Sequence, residues 1–419
     1  MRLIHTSDWH LGQTLHGFDR RYEHQCFLDW LLDTLVAEQA DALLVAGDVF
    51  DSANPPASAQ QQLYAFLTAA RARVPHLHVV LVAGNHDSPA RMEAPRPFLG
   101  LFDGVVVGQM HRLPDGTVDT SPAVVPLRDR QGQVAAWCLA VPFLRPADVP
   151  RQGSREDSED GNPFVAGVAA LYADALAQAL TLRQAGQAVV AMGHCHMQGG
   201  KASEDSERRI VVGGSEAIPA HVFGEEIAYA ALGHLHLAQA VGGQAHIRYS
   251  GSPLPLSFAE TAYPHQVVCV ELQDGAAVAV KPIRVPRFVD LLRIPAQPAP
   301  LVEVLPLLAA LDLPALPDQQ QPYLEVQIRL DAPEPGLRVR IESALVGKPV
   351  RLAKIGVSQP RQTGSDLAVP LSLDELDSLR VEDIFSELFR RKYGREADAS
   401  LLEALQSLQA EGALEGVRT

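Results

Sequence analysis

The 419-residue sequence predicts a layered α/β core, followed by a small α+β domain and a C-terminal helical arm. Three observations predict it. Short, β-branched apolar runs alternate with helix-length segments over residues 1–280. Prolines crowd the chain after Pro282, where that rhythm stops. Two apolar helix faces then appear beyond a polar stretch near the end. A chain of this length holds two or three domains, and 47% hydrophobic with 20% charged residues excludes wholesale disorder.

Taken in order, the strand-like runs are Leu3–Thr6, Ala42–Ala46, Val79–Ala83, Ala188–Met192 and Ile227–Leu232. Between them Tyr22–Glu38, Ala57–Ala72 and Phe164–Gln184 are long enough for crossover helices, so the sheet starts out mostly parallel. Gln152–Asn162 is polar and aperiodic and reads as a solvated loop. These elements make residues 1–280 one domain. Residues 281–358 make a second, small α+β capping domain, its start marked by Pro295, Pro298, Pro300, Pro306, Pro314 and Pro317. There Tyr323–Leu330 alternates, with Leu324, Val326, Ile328 and Leu330 on one face and Glu325, Gln327 and Arg329 on the other. Leu337, Ile341 and Leu345 have helical spacing, and Val350–Ile355 is a further strand. Residues 359–371 read as a linker. In 372–419, Ser372 and Glu375 have capping-box spacing, and Val381, Ile384, Phe385, Leu388 and Phe389 share one helix face. Gly394 suits a stop, and Leu401, Leu402, Leu405 and Leu408 begin a second face. A helix that cannot bury its stripe locally needs a partner.

Charge and cysteine usage set limits. Lys+Arg 35 against Asp+Glu 50 gives −15, the wrong sign for a protein that coats nucleic acid by bulk electrostatics. The excess is uneven: residues 281–365 carry 11 basic and 8 acidic side chains, whereas 366–419 carry 6 and 12. Cys26, Cys138, Cys195 and Cys269 lack pair spacing, so neither a disulfide framework nor a cysteine zinc site is expected. No apolar run is expected to reach the ~20 residues of a membrane span. No secretory signal is visible, and a reducing cytoplasm fits.

The chemistry sits at the ends of the strands. Leu3–Thr6 leads to Asp8 and His10, Ala42–Ala46 to Asp48, and Val79–Ala83 to Asn85, His86 and Asp87. Ala188–Met192 leads to His194, and Ile227–Leu232 to His234 and His236. Ligands in open α/β sheets bind beyond the carboxyl ends of strands, so all five groups can converge on one crevice. The preceding glycines, Gly47, Gly84, Gly193 and Gly233, fit tight turns or close backbone approach. Carboxylate, imidazole and one amide oxygen suit manganese, iron or zinc. The donors are too many for one ion. Two ions about 3.5–4 Å apart, bridged by a carboxylate and a water, use them all and clamp a phosphate ester. An imidazole beside the ions can protonate the leaving oxygen. His194-Cys195-His196 offers two imidazoles for one ligand position.

The blocks D-x-H, G-D, G-N-H-D, G-H and G-H-x-H, in this order, resemble the signature of the calcineurin-like metallophosphoesterases. Their surroundings resemble the SbcD family, the nuclease subunits of bacterial SbcC–SbcD complexes. The matching stretches are Ser7–Gly12, Ala46–Asp51, Ala83–Ser88, Pro142–Pro146 and Tyr249–Phe258, and the resemblance covers nearly all of residues 1–260. It implies two divalent ions, Mn(II) for preference, bridged by Asp48. Asp8, His10 and His236 would hold one ion, and Asn85, His194 and His234 the other. His194 is preferred to His196 because it directly follows Gly193, as the family pattern requires. His86 would be the catalytic imidazole, with Asp87 close enough to orient it. His16 and Arg20, after the first motif, and Gly251 with Ser252 are candidate substrate contacts.

The resemblance further implies double-strand exonuclease and single-strand or hairpin endonuclease activity on DNA, in end processing, replication and recombination. The C-terminal helices would hold an SbcC-like SMC-type ATPase, with a homodimer inside a heterotetramer on the nucleoid. No phosphate-binding G-x-x-x-x-G-K-[ST] motif occurs in this chain, so any ATP dependence comes from another one. The enzyme alternative is a phosphoprotein phosphatase or nucleotide phosphodiesterase on the same core. Against it, Ser52 follows Asp51 where a phosphatase G-D-x-x-D-R-G block has arginine. The alternative from another class is a silent DNA-end tether, which has no use for a complete ligand set.

Overall fold

The computed structural model describes residues 1–100, 103–150, 162–201, 217–330 and 334–358. The chain divides into two compact units, Met1–Gln359 and Pro360–Thr419. The expected 359–371 linker and 372–419 arm, and most of the Gln152–Asn162 loop, lie outside the described residues.

The five expected strands form as Arg2–Thr6, Ala42–Ala46, His78–Val82, Ala188–His194 and Ile227–Gly233. They belong to two six-stranded sheets. The first runs Ala276–Arg284, Gln266–Gln273, Arg2–Thr6, Ala42–Ala46, His78–Val82, Gly104–Val107, parallel from Arg2–Thr6 onward. Its Gln266–Arg284 edge is an antiparallel hairpin. The second runs Gln239–Val241, Gln244–Tyr249, Ile227–Gly233, Ala188–His194, Val134–Ala140, Val124–Arg128, with a parallel centre and antiparallel edges.

Side-chain alternation explains the stacking. Ala42, Leu44 and Ala46 cluster with Cys138, Val190, Met192 and Ala231 of the opposite sheet. Leu43 and Val45 instead join Phe27, Leu31, Leu63 and Phe66 of helices Arg21–Ala37 and Ala57–Arg73. Successive side chains point to opposite faces, so a strand covered on both sides must be apolar throughout, as Ala42–Ala46 is. The result is four layers, helix–sheet–sheet–helix. The fourth is Pro163–Leu182, capped by Asn162, whose side chain accepts from Phe164 N at 2.8 Å. This helix corrects one expectation, because its 20 residues are long and apolar enough to cross a membrane. Alanine enrichment raises its hydropathy, while Val165, Val168, Leu171, Tyr172 and Ala175 pack on the second sheet.

A third sheet orders Leu291–Pro300, Tyr323–Arg329 and Arg351–Ser358, all parallel. Helices Leu301–Ala309 and Leu337–Ala344 lie between the strands in sequence. Its core holds Leu301, Val304, Leu308, Leu324, Val326, Ile328, Ile341 and Leu345. The opposite face is closed at its start and open at its end, where Gln327 is half-buried and Arg329 exposed. Glu325 is buried between Arg293 (2.6 Å) and Lys354 (3.1 Å), and Tyr323 packs with Leu15 and Phe258 of the larger layers.

Candidate metal centre

The chemistry-bearing residues all sit at the carboxyl ends of strands, where two loops run side by side. Asp8 N donates to Gly47 O (3.0 Å), His10 N to Asp48 O (3.1 Å) and Leu11 N to Val49 O (2.9 Å). Asp8, His10, Asp48 and His234 have φ of 54°, 47°, 49° and 106°. This left-handed backbone costs non-glycine residues about 1–3 kcal/mol each, and such strain clusters at functional sites. Close approach of the loops depends on missing side chains. A Cβ on Gly84 would stand 2.1 Å from Asp48 Oδ1, and one on Gly233 would stand 1.9 Å from Ala46 O.

The expected ligands come together. Asp8, His10 and His236 form one group and Asp8, Asp48 and His194 another, the ligand atoms in each lying within 4.8 Å of one another. Asp48 Oδ2 stands 3.6 Å from His10 Nε2 of the first group and 3.4 Å from His194 Nε2 of its own. Asn85 Oδ1 lies 3.0 Å from His194 Nε2 and 3.1 Å from His234 Nδ1. His194 therefore occupies the position that His196 also offered; the ring of His196 is 6.4 Å from that of His234. His10 Nε2 is buried without a hydrogen-bond partner. A buried polar atom left unpaired beside a carboxylate and two further imidazoles fits a cation, and the oxygen and nitrogen donors suit a hard-to-borderline divalent ion.

Electrostatics reflect the crowding. Burial opposes the charge on Asp48, yet His194, His10 and His86 outweigh it and hold the carboxyl far below its usual range. Burial would lower His194, but Asp48 raises it to about 9. His234, buried beside His194, falls to about 3. These opposed shifts describe buried groups competing to balance charge, which divalent cations would do directly.

Outer contacts fix the rings. His10 Nδ1 meets Asp51 Oδ1 at 3.1 Å, His194 Nδ1 meets Ala46 O at 2.9 Å, and His236 Nδ1 meets Glu260 Oε1 at 2.8 Å. Orienting partners of this kind set which nitrogen faces a metal. Sequence reasoning missed Asp51 and Glu260. Asp51 was within reach, three residues after Asp48, whereas Glu260 has no motif to mark it.

Several expectations need correction. Asp87 does not orient His86; its carboxylate accepts from Gly84 N (2.9 Å), Phe50 N (2.9 Å) and Val49 N (3.1 Å) and ties the loops together. His86 is set instead by Nδ1 against Asp51 O (2.8 Å) and by its amide on Asp48 Oδ1 (2.8 Å). Arg20 cannot meet substrate from where it lies, because it is fully buried and bonded to Glu23, Gln13 and Pro255. Gly251 and Ser252 are also buried, and Ser252 N braces His236 O at 3.1 Å. His16 is exposed, its ring 6.0 Å from that of Phe258. His5 lies inside the first strand as a packed histidine, bonded to Tyr229 Oη (2.9 Å) and Leu232 O (3.1 Å).

Fold and site together define a calcineurin-like phosphoesterase, and the family model of that description matches residues 1–238. A second model, SbcD_C, described as a type 5 capsule protein repressor C-terminal domain, matches residues 287–393. The SbcD component of the SbcCD nuclease of Rhodobacter capsulatus is 44% identical over 377 residues, covering 89% of this chain and 91% of that protein. Its Escherichia coli K12 counterpart is 33% identical over 413 residues, 97% and 96% of the two chains, and that of Bacillus subtilis 35% over 279 residues, 66% and 67%. The chain belongs to the SbcD family of nuclease subunits. It is a metal-dependent hydrolase of the nuclease class.

Proposed function

We propose that this chain hydrolyses DNA phosphodiester bonds with two Mn(II) ions, as an exonuclease on duplex ends and an endonuclease on single strands and hairpins. The observation that carries the reading is the pair of ligand groups that share Asp8, with Asp48 Oδ2 between His10 and His194 and His10 Nε2 buried without a hydrogen-bond partner. Asp8, His10 and His236 would hold one ion, Asn85, His194 and His234 the other, and Asp48 both. When bound, such ions polarise a phosphate ester and make hydroxide available near neutral pH. The chain's own part is to fix geometry and handle a proton. Asp48 is held by the His86 amide, and the Asp51 carbonyl engages His86 Nδ1. With Nδ1–H so engaged, His86 would take up a second proton at Nε2 and, as the imidazolium, give it to the leaving oxygen.

The names of the relatives support a role beside an SbcC-type ATPase. In this reading the expected C-terminal helices are its seat and the nucleoid of the cytoplasm is the place of work. The third sheet, part of the net-positive segment 281–365, would cap the DNA path. A homodimer fits the exposed Phe98 (69%) beside Tyr64, which border an apolar hollow of about 440 Å³. The test is Mn(II)-dependent digestion of linear and hairpin DNA by the wild type, Asp48→Ala and His86→Ala. Equal rates for all three would remove the nuclease reading. Small phosphate esters assayed in parallel separate it from a phosphatase.

A further inference from the structure

Beyond the ligands, buried polar groups line one path that ends at His236. Tyr323, on the central strand of the third sheet, donates its hydroxyl to Glu23 Oε1 at 2.8 Å. Glu23 holds Arg20 through both oxygens, with Nε at 3.0 Å and Nη2 at 2.6 Å. Arg20 Nη1 donates to the Pro255 carbonyl at 2.7 Å. One residue on, Leu256 N donates to Glu260 Oε2 at 2.8 Å, and Glu260 Oε1 meets His236 Nδ1 at 2.8 Å. Tyr323, Glu23, Arg20, Glu260 and His236 are all 5% exposed or less. Buried charges persist only when paired and hydrogen-bonded, so each member depends on the next.

The third sheet grips the same turn a second time. Arg293 Nη2 donates to Phe258 O at 3.2 Å while its Nε holds Glu325 at 2.6 Å. His265 closes the turn from behind, its ring nitrogens 2.9 Å from Ser252 O and 3.1 Å from Glu260 O. Between Ser250 and His265 the chain has one three-residue 3₁₀ turn, Phe258–Glu260, and no other regular element. Its shape is therefore dictated by these side chains.

Resting on the two-metal reading, we infer that Glu260 is a positioning residue for the metal ligand His236. Glu260 is in turn held by the third sheet through Tyr323, Glu23 and Arg20. A carboxylate on the far nitrogen of a ligating imidazole fixes its tautomer and ring angle, and loss of such a partner costs about 10–100-fold in metal affinity. A shift of the third sheet changes the seat of His236 through this path.

Calorimetric titration of the full chain with Mn(II) alone tests it, using the wild type, Glu260→Gln, Glu260→Ala, Tyr323→Phe and His236→Ala. Glu260→Ala is expected to lose about 10–100-fold in affinity at one of two sites, with Glu260→Gln in between because its amide oxygen still accepts from His236. Tyr323→Phe, which removes a single hydroxyl, is expected to weaken the same site by between about two- and thirtyfold. Wild-type isotherms for folded Glu260→Gln and Tyr323→Phe would overturn the inference, as would equal loss at both sites. If Glu260→Ala does not fold, those two variants decide. His236→Ala separates the failures: unchanged binding in that variant sinks the metal-site reading itself.

Discussion

Gly84 has no room for a methyl group, and its neighbour there is Asp48, the proposed bridging ligand. A Cβ would sit 2.1 Å from Asp48 Oδ1 and 2.3 Å from Asp48 N. Gly84→Ala should displace the shared carboxylate, and misplacement by about 1 Å can cost on the order of 10²-fold in rate. Mn(II)-dependent turnover measures it; a variant within a factor of two of wild type would show that the loop yields freely. His5 gives a pH signature. Burial lowers it to about 3, so it stays neutral in the fold while the unfolded chain takes up a proton near its ordinary value of about 6.5. The unfolded state then binds more protons between these values, so stability falls as pH drops through that window, by about 1.4 kcal/mol per unit. Urea melts with chelator at pH 7 and pH 5 should show His5→Gln losing less on acidification than the wild type. Equal losses would place the titrating group elsewhere.

Elements were legible where their pattern is local. The motif-bearing strands are short apolar runs ending in ligand types, and nothing distant is needed to recognise them. Helix Leu301–Ala309 was hidden because Pro306 lies inside it, where the missing N–H argues against a helix; packing of Leu301, Val304 and Leu308 overrides that. Strand Leu291–Pro300 was hidden for a related reason, its pairing shifting between Ile294 and Ala299 across Pro295 and Pro298. Glu260 and the burial of Arg20 depend on partners 24 and 235 residues away, His236 and Pro255, which periodicity does not reveal. Arg20 also leads into helix Arg21–Ala37, so its loss is an element-scale event. Arg20→Met would leave the buried Glu23 carboxylate without its cation, at a cost of about 3–5 kcal/mol in urea unfolding. Arg20→Lys should not restore it, because one ammonium cannot make the bidentate contact. A loss under 1 kcal/mol would mean that water replaces the guanidinium.

At the scale of the whole molecule, the −15 net charge takes on a location. Asp8, Asp48 and Asp87 are all buried in the crevice, and burial with the Asp48 charge pushes Asp87 up to about 6. Two divalent ions would bring four positive charges to this point and reverse the local sign where a phosphate must sit. The ions bind the fold and have no preformed site in the unfolded chain, so they should stabilise it. At free Mn(II) 100 times its dissociation constant, the gain is about 2.7 kcal/mol per site. The melting temperature should therefore rise with Mn(II), keep rising with its logarithm above the dissociation constant, and return to baseline with excess chelator. Asp48→Asn, lacking the shared carboxylate, should gain much less from the same titration. Differential scanning fluorimetry of both proteins reads the two curves together. A wild type indifferent to Mn(II) would leave the acidic crevice without its counter-charge, whereas equal gains in both proteins would move the stabilising ions to another part of the surface.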